Sequence, residues 1–231
     1  MATPIKTPTP AIQKALSLPE ILSEIFHWIY ADEGRLEEIP DRPRHYTFVI
    51  TRRNDLHSCA LTSRLWFAQS IALLWKIPHD PDLKHLERDI EDRIGPLPPS
   101  RREFYAKFID EGTIETTRLG KDGSKSELDG VVLPALRTLR LYVPVYNSGV
   151  PAIVAPRLKQ LDIDPHVEVL PPEECVGENV MGEVLEQIPA LFPNVDVVTF
   201  GLCYARRKDF ERFKSRMPGV TIHDEDSIIM N

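Results

Sequence analysis

Residues 133–141 read LPALRTLRL, residues 155–163 read APRLKQLDI and residues 192–200 read FPNVDVVTF. Placed one beneath another, they share a frame. Leu133-Pro134-Ala135-Leu136-x-x-Leu139-x-Leu141 matches Ala155-Pro156-Arg157-Leu158-x-x-Leu161-x-Ile163 and Phe192-Pro193-Asn194-Val195-x-x-Val198-x-Phe200. Met217-Pro218-Gly219-Val220-x-Ile222 is a shortened fourth copy. The four prolines are 22, 37 and 25 residues apart, so the period is irregular. Each copy reads as a turn leading into a short strand with alternate side chains buried. One strand cannot bury its face alone, so neighbouring copies are expected to stack in parallel. The segments 180–191 and 206–217 have helical periodicity, and each leads into a copy; between the first two copies only a turn-rich link, VPVYNSGVPAIV, is available. Alternation turns Thr138, Arg140 and Tyr142 outward, beside Gln160, Asp162 and Asp164, then Val197 and Thr199. Arg140 and Asp162 occupy equivalent positions on adjacent strands. They suit either a cross-strand ion pair, worth about 0.2–1 kcal/mol, or contact with a bound protein.

Working back from the repeats, residues 119–130 (LGKDGSKSELDG) read as an exposed loop or hinge. Residues 78–130 as a whole read as a helical spacer divided by Pro78, Pro81, Pro96, Pro98 and Pro99. Leu83, Leu86, Ile90 and Ile94 mark a helix over 82–93, and Phe104, Tyr105, Phe108 and Ile109 mark one over 100–110. The mixed-sign block ERDIEDR within the first is a solvated helix face.

Three helices are expected between about 17 and 77. Ser17 can cap the first, with Glu20 completing a capping box, Pro19 in the first turn, and Leu16 and Ile21 as the hydrophobic staple. Leu18, Ile21, Leu22, Ile25, Phe26 and Ile29 then fall on one helical face, while Trp28 and Tyr30 lie off it. A helix apolar on more than one side needs two things to pack against, one of which can be another protein. Pro40, Pro43 and six charges make 31–54 a loop, with an extended patch over 46–50. Asn54 or Asp55 would cap a second helix over 56–62, and Ser63 a third ending near Lys76, which carries Trp66, Phe67 and Trp75.

These blocks resemble a known family. Leu18-Pro19-x-Ile21-Leu22-x-x-Ile25-Phe26, then Asp55-Leu56-x-x-Cys59-x-Leu61-x-Ser63-Arg64-x-Trp66, then Leu74-Trp75, are similar in order and spacing to an F-box, of a fungal style given the long 31–54 insertion. The apolar frame of the last hundred residues resembles the leucine-rich repeat, L-x-x-L-x-L. The three prolines among the first ten residues predict a disordered lead-in over 1–15. With the resemblance, the expectation is an α/β chain: an N-terminal three-helix F-box-like module (16–77), the spacer (78–130), and a short, irregular β/α solenoid (131–231). The resemblance also implies an adaptor role. The helices would dock on the Skp-type adaptor of a cullin–RING ubiquitin ligase, and the remainder would recruit a protein substrate. Carried over, Leu18, Pro19, Ile21, Leu22, Ile25, Phe26, Leu61, Ser63, Trp66, Leu74 and Trp75 would face the adaptor or the module's own core. Thr138, Arg140, Tyr142, Gln160, Asp162, Asp164 and Thr199 are the expected substrate contacts.

Composition fits that reading. The chain has 231 residues, 42% hydrophobic and 27% charged, enough for a real core. Its net charge of −7 argues against a dedicated nucleic-acid binder. Cys59, Cys175 and Cys203 are odd in number and widely spaced, which suits a reducing compartment rather than a disulfide framework. Neither a secretory leader nor an apolar membrane span is evident, so a soluble intracellular protein is expected. The sequence lacks H-E-x-x-H, G-x-S-x-G, the P-loop and G-x-G-x-x-G, and its seven histidines have no metal-ligand cadence. Cys175 lies beside two glutamates, which raise a thiol pKa. No catalytic role, cofactor or metal is therefore expected.

Overall fold

The computed structural model describes residues 11–31, 35–38, 46–49, 51–76, 89–117, 126–144, 148–165, 180–201, 204–223 and 228–230. The chain divides into two compact units, Met1–Trp75 and Lys76–Asn231. The expected contributions of Leu83, Leu86, Cys175 and Cys203 lie outside the described residues.

The first unit contains α1 (Ala11–Ala15), α2 (Pro19–Ala31), the antiparallel pair β1 (Arg35–Glu38) and β2 (Tyr46–Val49), α3 (Thr51–Ala60) and α4 (Arg64–Lys76). Residues 11–15 thus form a helical turn where a disordered lead-in was expected. Its end explains a second difference. The Ser17 hydroxyl donates to the Lys14 carbonyl at 2.7 Å, closing α1 rather than capping α2. The α2 ladder starts at the Leu18 carbonyl, which accepts from the Leu22 amide at 3.1 Å, and Pro19 takes the first helical position, where its missing N–H costs nothing. Tyr46–Val49 is extended as expected, but it has a partner, β1, that the charged loop composition did not announce. Helix α3 starts at Thr51, so Asn54 and Asp55 lie inside it instead of capping it. Ser63 does cap α4: its hydroxyl accepts from the Trp66 amide at 3.3 Å.

Leu22, Phe26, Leu56, Ala60 and Leu74 form this unit's buried core. Ile25, Ile29, Cys59, Leu65, Trp66, Leu73 and Trp75 pack around it, half-buried. Phe26 meets Trp66 edge-on, with ring centroids 5.5 Å apart. The Trp66 indole N–H donates to the Leu16 carbonyl at 3.3 Å, tying α4 to the turn before α2.

The second unit contains α5 (Asp89–Ile94), α6 (Pro99–Ala106), β3 (Glu111–Glu115), β4 (Thr138–Val143), β5 (Gln160–Pro165), α7 (Val180–Leu191), β6 (Val197–Phe200), β7 (Tyr204–Arg206), α8 (Arg207–Arg216), β8 (Thr221–His223) and β9 (Ile228–Met230). Its main sheet has the order β3-β4-β5-β6-β8, all parallel; β7 and β9 form a separate parallel pair. Arg102 ties the α5–α6 link together by donating to the carbonyls of Ile94 at 3.1 Å, Leu97 at 3.3 Å and Gly95, and reaches the Glu127 carbonyl at 3.0 Å.

Strand register follows the sequence frame. Leu139 pairs with Leu161, Leu161 with Val198 and Val198 with Ile222, so equivalent apolar positions stand in one row. Leu141, Ile163 and Phe200 form the next inward row. Each copy makes the same turn bond before its strand: Leu136 to Leu133, Leu158 to Ala155, Val195 to Phe192 and Val220 to Met217, amide to carbonyl at 3.2–3.4 Å. The shortened copy makes this turn with Gly219 at φ 90°, a left-handed conformation disfavoured for side chains with a Cβ.

Where each strand begins, amides reach the neighbouring copy: Arg137 to Asp110, Lys159 to Arg137, Asp196 to Lys159 and Thr221 to Asp196. Ion pairs run along the same row, Arg137–Asp110 at 3.2 Å and Lys159–Asp196 at 2.9 Å.

The ladder continues one copy further back than the sequence suggested. Ile109 makes the turn bond to Ala106. Ala106-x-x-Ile109-x-x-Gly112-x-Ile114 is therefore an additional first copy, with glycine where the others carry Leu139, Leu161 and Val198. Its strand, β3, lies within the stretch read as a helical spacer and corrects that boundary.

The helices expected at 180–191 and 206–217 are present as α7 and α8. Met181, Val184, Leu185 and Ile188 are buried on one face of α7. Phe210 and Phe213 of α8 meet Phe200 edge-on, with centroids 5.3 and 5.9 Å apart.

Candidate binding surfaces

Two apolar stripes run along α2. Leu22, Phe26 and Ile29 point into the unit. Leu18, Ile21, Ile25 and Trp28, spaced three, four and three residues apart, lie beside them on the other flank. On that flank Leu18 is 44% exposed, Ile21 38% and Trp28 72%. Leu61, after α3, is 75% exposed, and Phe67 on α4 is also exposed. Large apolar side chains turned outward on one helix are not explained by the core they adjoin.

The expected adaptor contacts therefore separate. Leu18, Pro19, Ile21, Leu61 and Ser63 are exposed, with the Ser63 hydroxyl occupied as a cap. Ile25, Trp66 and Trp75 are half-buried. Leu22, Phe26 and Leu74 are core and cannot meet a partner on the folded unit. Trp28 and Phe67 were missing from the expected set. The spacing of Trp28 from Leu18, Ile21 and Ile25 was the signal that could have added it.

In the second unit, one row of the sheet reads Thr113, Arg140, Asp162, Thr199, His223 across five strands, with Thr113 buried at its end. A groove of about 630 Å³ lies along it, lined by Arg140, Gln160, Asp162, Asp164, Thr199 and His223 among others. Five of the seven expected substrate contacts thus come together. Thr138 is half-buried and does not line the groove. Tyr142 was expected on the open face, but the residue is only 9% exposed; alternation gives its row but not what covers it. Val197 stands in the row of Thr138 and Gln160. His223 was missed because the fourth copy is one residue short, although its pairing with Thr199 puts it in the groove row.

The Gln160 amide donates to both oxygens of the Asp162 carboxylate, at 3.0 and 3.3 Å, and so fixes its orientation. The anticipated Arg140–Asp162 ion pair does not form among the described residues, which leaves the guanidinium exposed. Gly201 gives Asp164 room: a Cβ there would stand 3.3 Å from the Asp164 Oδ1. The groove offers two carboxylates, a guanidinium, an amide, a hydroxyl and an imidazole on a rigid sheet, a polar floor suited to an extended polypeptide.

Among the described residues, no group of three His, Cys, Asp or Glu is placed to hold a metal ion, and no helix is long and apolar enough to cross a membrane. The half-buried Cys59 thiol has a raised pKa, chiefly from burial and secondly from the Asp55 carboxylate, so it is a poor nucleophile. Comparison with protein-family models, with curated proteins and with solved structures finds no match.

Proposed function

We propose that this chain is a substrate-recruiting adaptor of a ubiquitin ligase. Its first unit docks as an F-box on a Skp-type adaptor, and through it on a cullin; its second unit holds a protein substrate. The observation that carries this reading is the second apolar stripe of α2, Leu18–Ile21–Ile25–Trp28, with Leu61 and Phe67 exposed on the same unit. The order of the three sequence blocks supports it as well. The polar groove on the parallel sheet supports recognition of an extended segment by the second unit. The contribution to the reaction is proximity: a tethered substrate lysine meets a charged ubiquitin-conjugating enzyme at a raised effective concentration.

Co-purification of the full chain with a Skp-type adaptor tests this. Ile21→Asp with Leu61→Asp should abolish capture while leaving the circular dichroism unchanged, because Leu61 is 75% exposed and Ile21, 38% exposed, lies outside the buried core. Leu22→Asp is not informative, since it introduces a carboxylate into the core. Failure of the wild-type chain to be captured counts against the reading. An independent repeat scaffold, the alternative from a different functional class, predicts that outcome.

A further inference from the structure

Helix α8 and the residue before it, 206–216, carry six basic side chains (Arg206, Arg207, Lys208, Arg212, Lys214, Arg216) and two acidic ones, in a chain whose net charge is −7. Packing fixes which way they point. Phe210, Phe213 and Met217 are buried on the inner face together with Asp209, so Glu211 is the only acid on the outside. All six basic residues are exposed.

Part of this charge has a structural use. Arg212 pairs with Glu186 at 2.6 Å, Arg216 donates to the Glu186 carbonyl at 3.3 Å, and the Lys214 ammonium lies 4.4 Å from the Phe210 ring centroid. Arg206, Arg207 and Lys208 have no side-chain hydrogen bond or ion pair to any described residue. They also work against the helix. Cations in a first turn oppose the macrodipole; Lys208 and Arg212 are like charges at i, i+4, and Glu211, i+4 from Arg207 and i+3 from Lys208, is the one exposed acid of the helix to offset them. A sequence that breaks local rules without a structural gain points to function.

From this we propose that the basic outer face of α8 is a docking surface for an acidic segment of a partner polypeptide, independent of whether the first unit binds a Skp-type adaptor. Charge complementarity sets the sign of the partner. The outer face has no apolar side chain to insert into a bilayer and no aromatic side chain on which bases could stack, which disfavours a membrane or a nucleic acid. The charge is spread along both flanks of the helix from Arg206 to Arg216, which suits a strand of carboxylates lying across it.

The test uses the full chain and three probes at low salt: a fluorescein-labelled peptide of alternating Glu and Ser, a short single-stranded RNA, and phosphatidylserine vesicles. The peptide should bind, and Arg207→Glu with Lys208→Glu should weaken it about tenfold. Arg101→Glu with Arg157→Glu changes the net charge equally on other exposed surface and should have little effect. Circular dichroism confirms folding; if the Glu pair disturbs α8, Arg207→Gln with Lys208→Gln gives a smaller loss in the same direction. The proposal is overturned if the peptide does not bind, if both pairs weaken it equally, or if RNA or vesicles bind more tightly and are lost with the same substitutions.

Discussion

Ile21 and Leu22 are adjacent in sequence and face different surroundings. Leu22 is sealed in the first unit's core, and Ile21 is partly exposed to water. The sequence could not separate them, because both flanks of α2 are apolar and periodicity reports apolarity rather than what covers it. The difference is measurable by urea unfolding. Phe26→Ala removes a fully buried ring packed on Trp66 and should cost about 3–5 kcal/mol, whereas Ile21→Asp, at a side chain outside the core, should cost clearly less. Cys59 makes a second prediction. Its pKa is raised from 9.0 by burial and by Asp55, so the folded chain retains the thiol proton where an unfolded one releases it. Stability contributed by the protonated thiol is complete below 9.0 and lost as pH rises through the folded pKa. Peptide-resolved mass spectrometry should show Cys59 alkylated by iodoacetamide more slowly than in the urea-unfolded chain near neutral pH, with the two rates converging in strong alkali.

At the scale of elements, the repeat frame was legible because the same spacing that places Leu139, Leu161 and Val198 in sequence places them in one row of the sheet. Helices α7 and α8 were legible from their 3.6-residue periodicity. What escaped had no such signal. The first copy has Gly112 where the frame needs a large apolar residue, so β3 was read as spacer. Helix α3 opens with Thr51-Arg52-Arg53-Asn54, which carries no apolar period. The missing Arg140–Asp162 ion pair has a local cause too: Gln160 already holds the carboxylate from its own strand. Neighbouring copies should support one another. Leu139→Ala and Leu161→Ala should each cost about 2–5 kcal/mol, and because the residues are register partners, the double substitution should depart from additivity by about 0.5–3 kcal/mol. Equilibrium unfolding of the two single variants and the double variant checks this; strict additivity would mean that the row is not a packed unit.

On the scale of the whole molecule, the first unit carries a run of outward apolar side chains, while the second carries a polar groove and a basic helix as well as the exposed Phe104, Val132 and Val154. That division suits a protein that brings partners together. On the proposed function, the apolar contact, which needs shape and area, falls to the first unit and polar recognition to the second. Calorimetric titration of the full chain with a purified Skp-type adaptor, repeated at several temperatures, decides whether the proposed docking occurs. Burial of the Leu18–Trp28 stripe and Leu61 predicts one-to-one binding with a negative heat-capacity change, and Ile21→Asp with Leu61→Asp should remove it while the chain stays folded. No heat of binding, or binding that survives both substitutions, would contradict it.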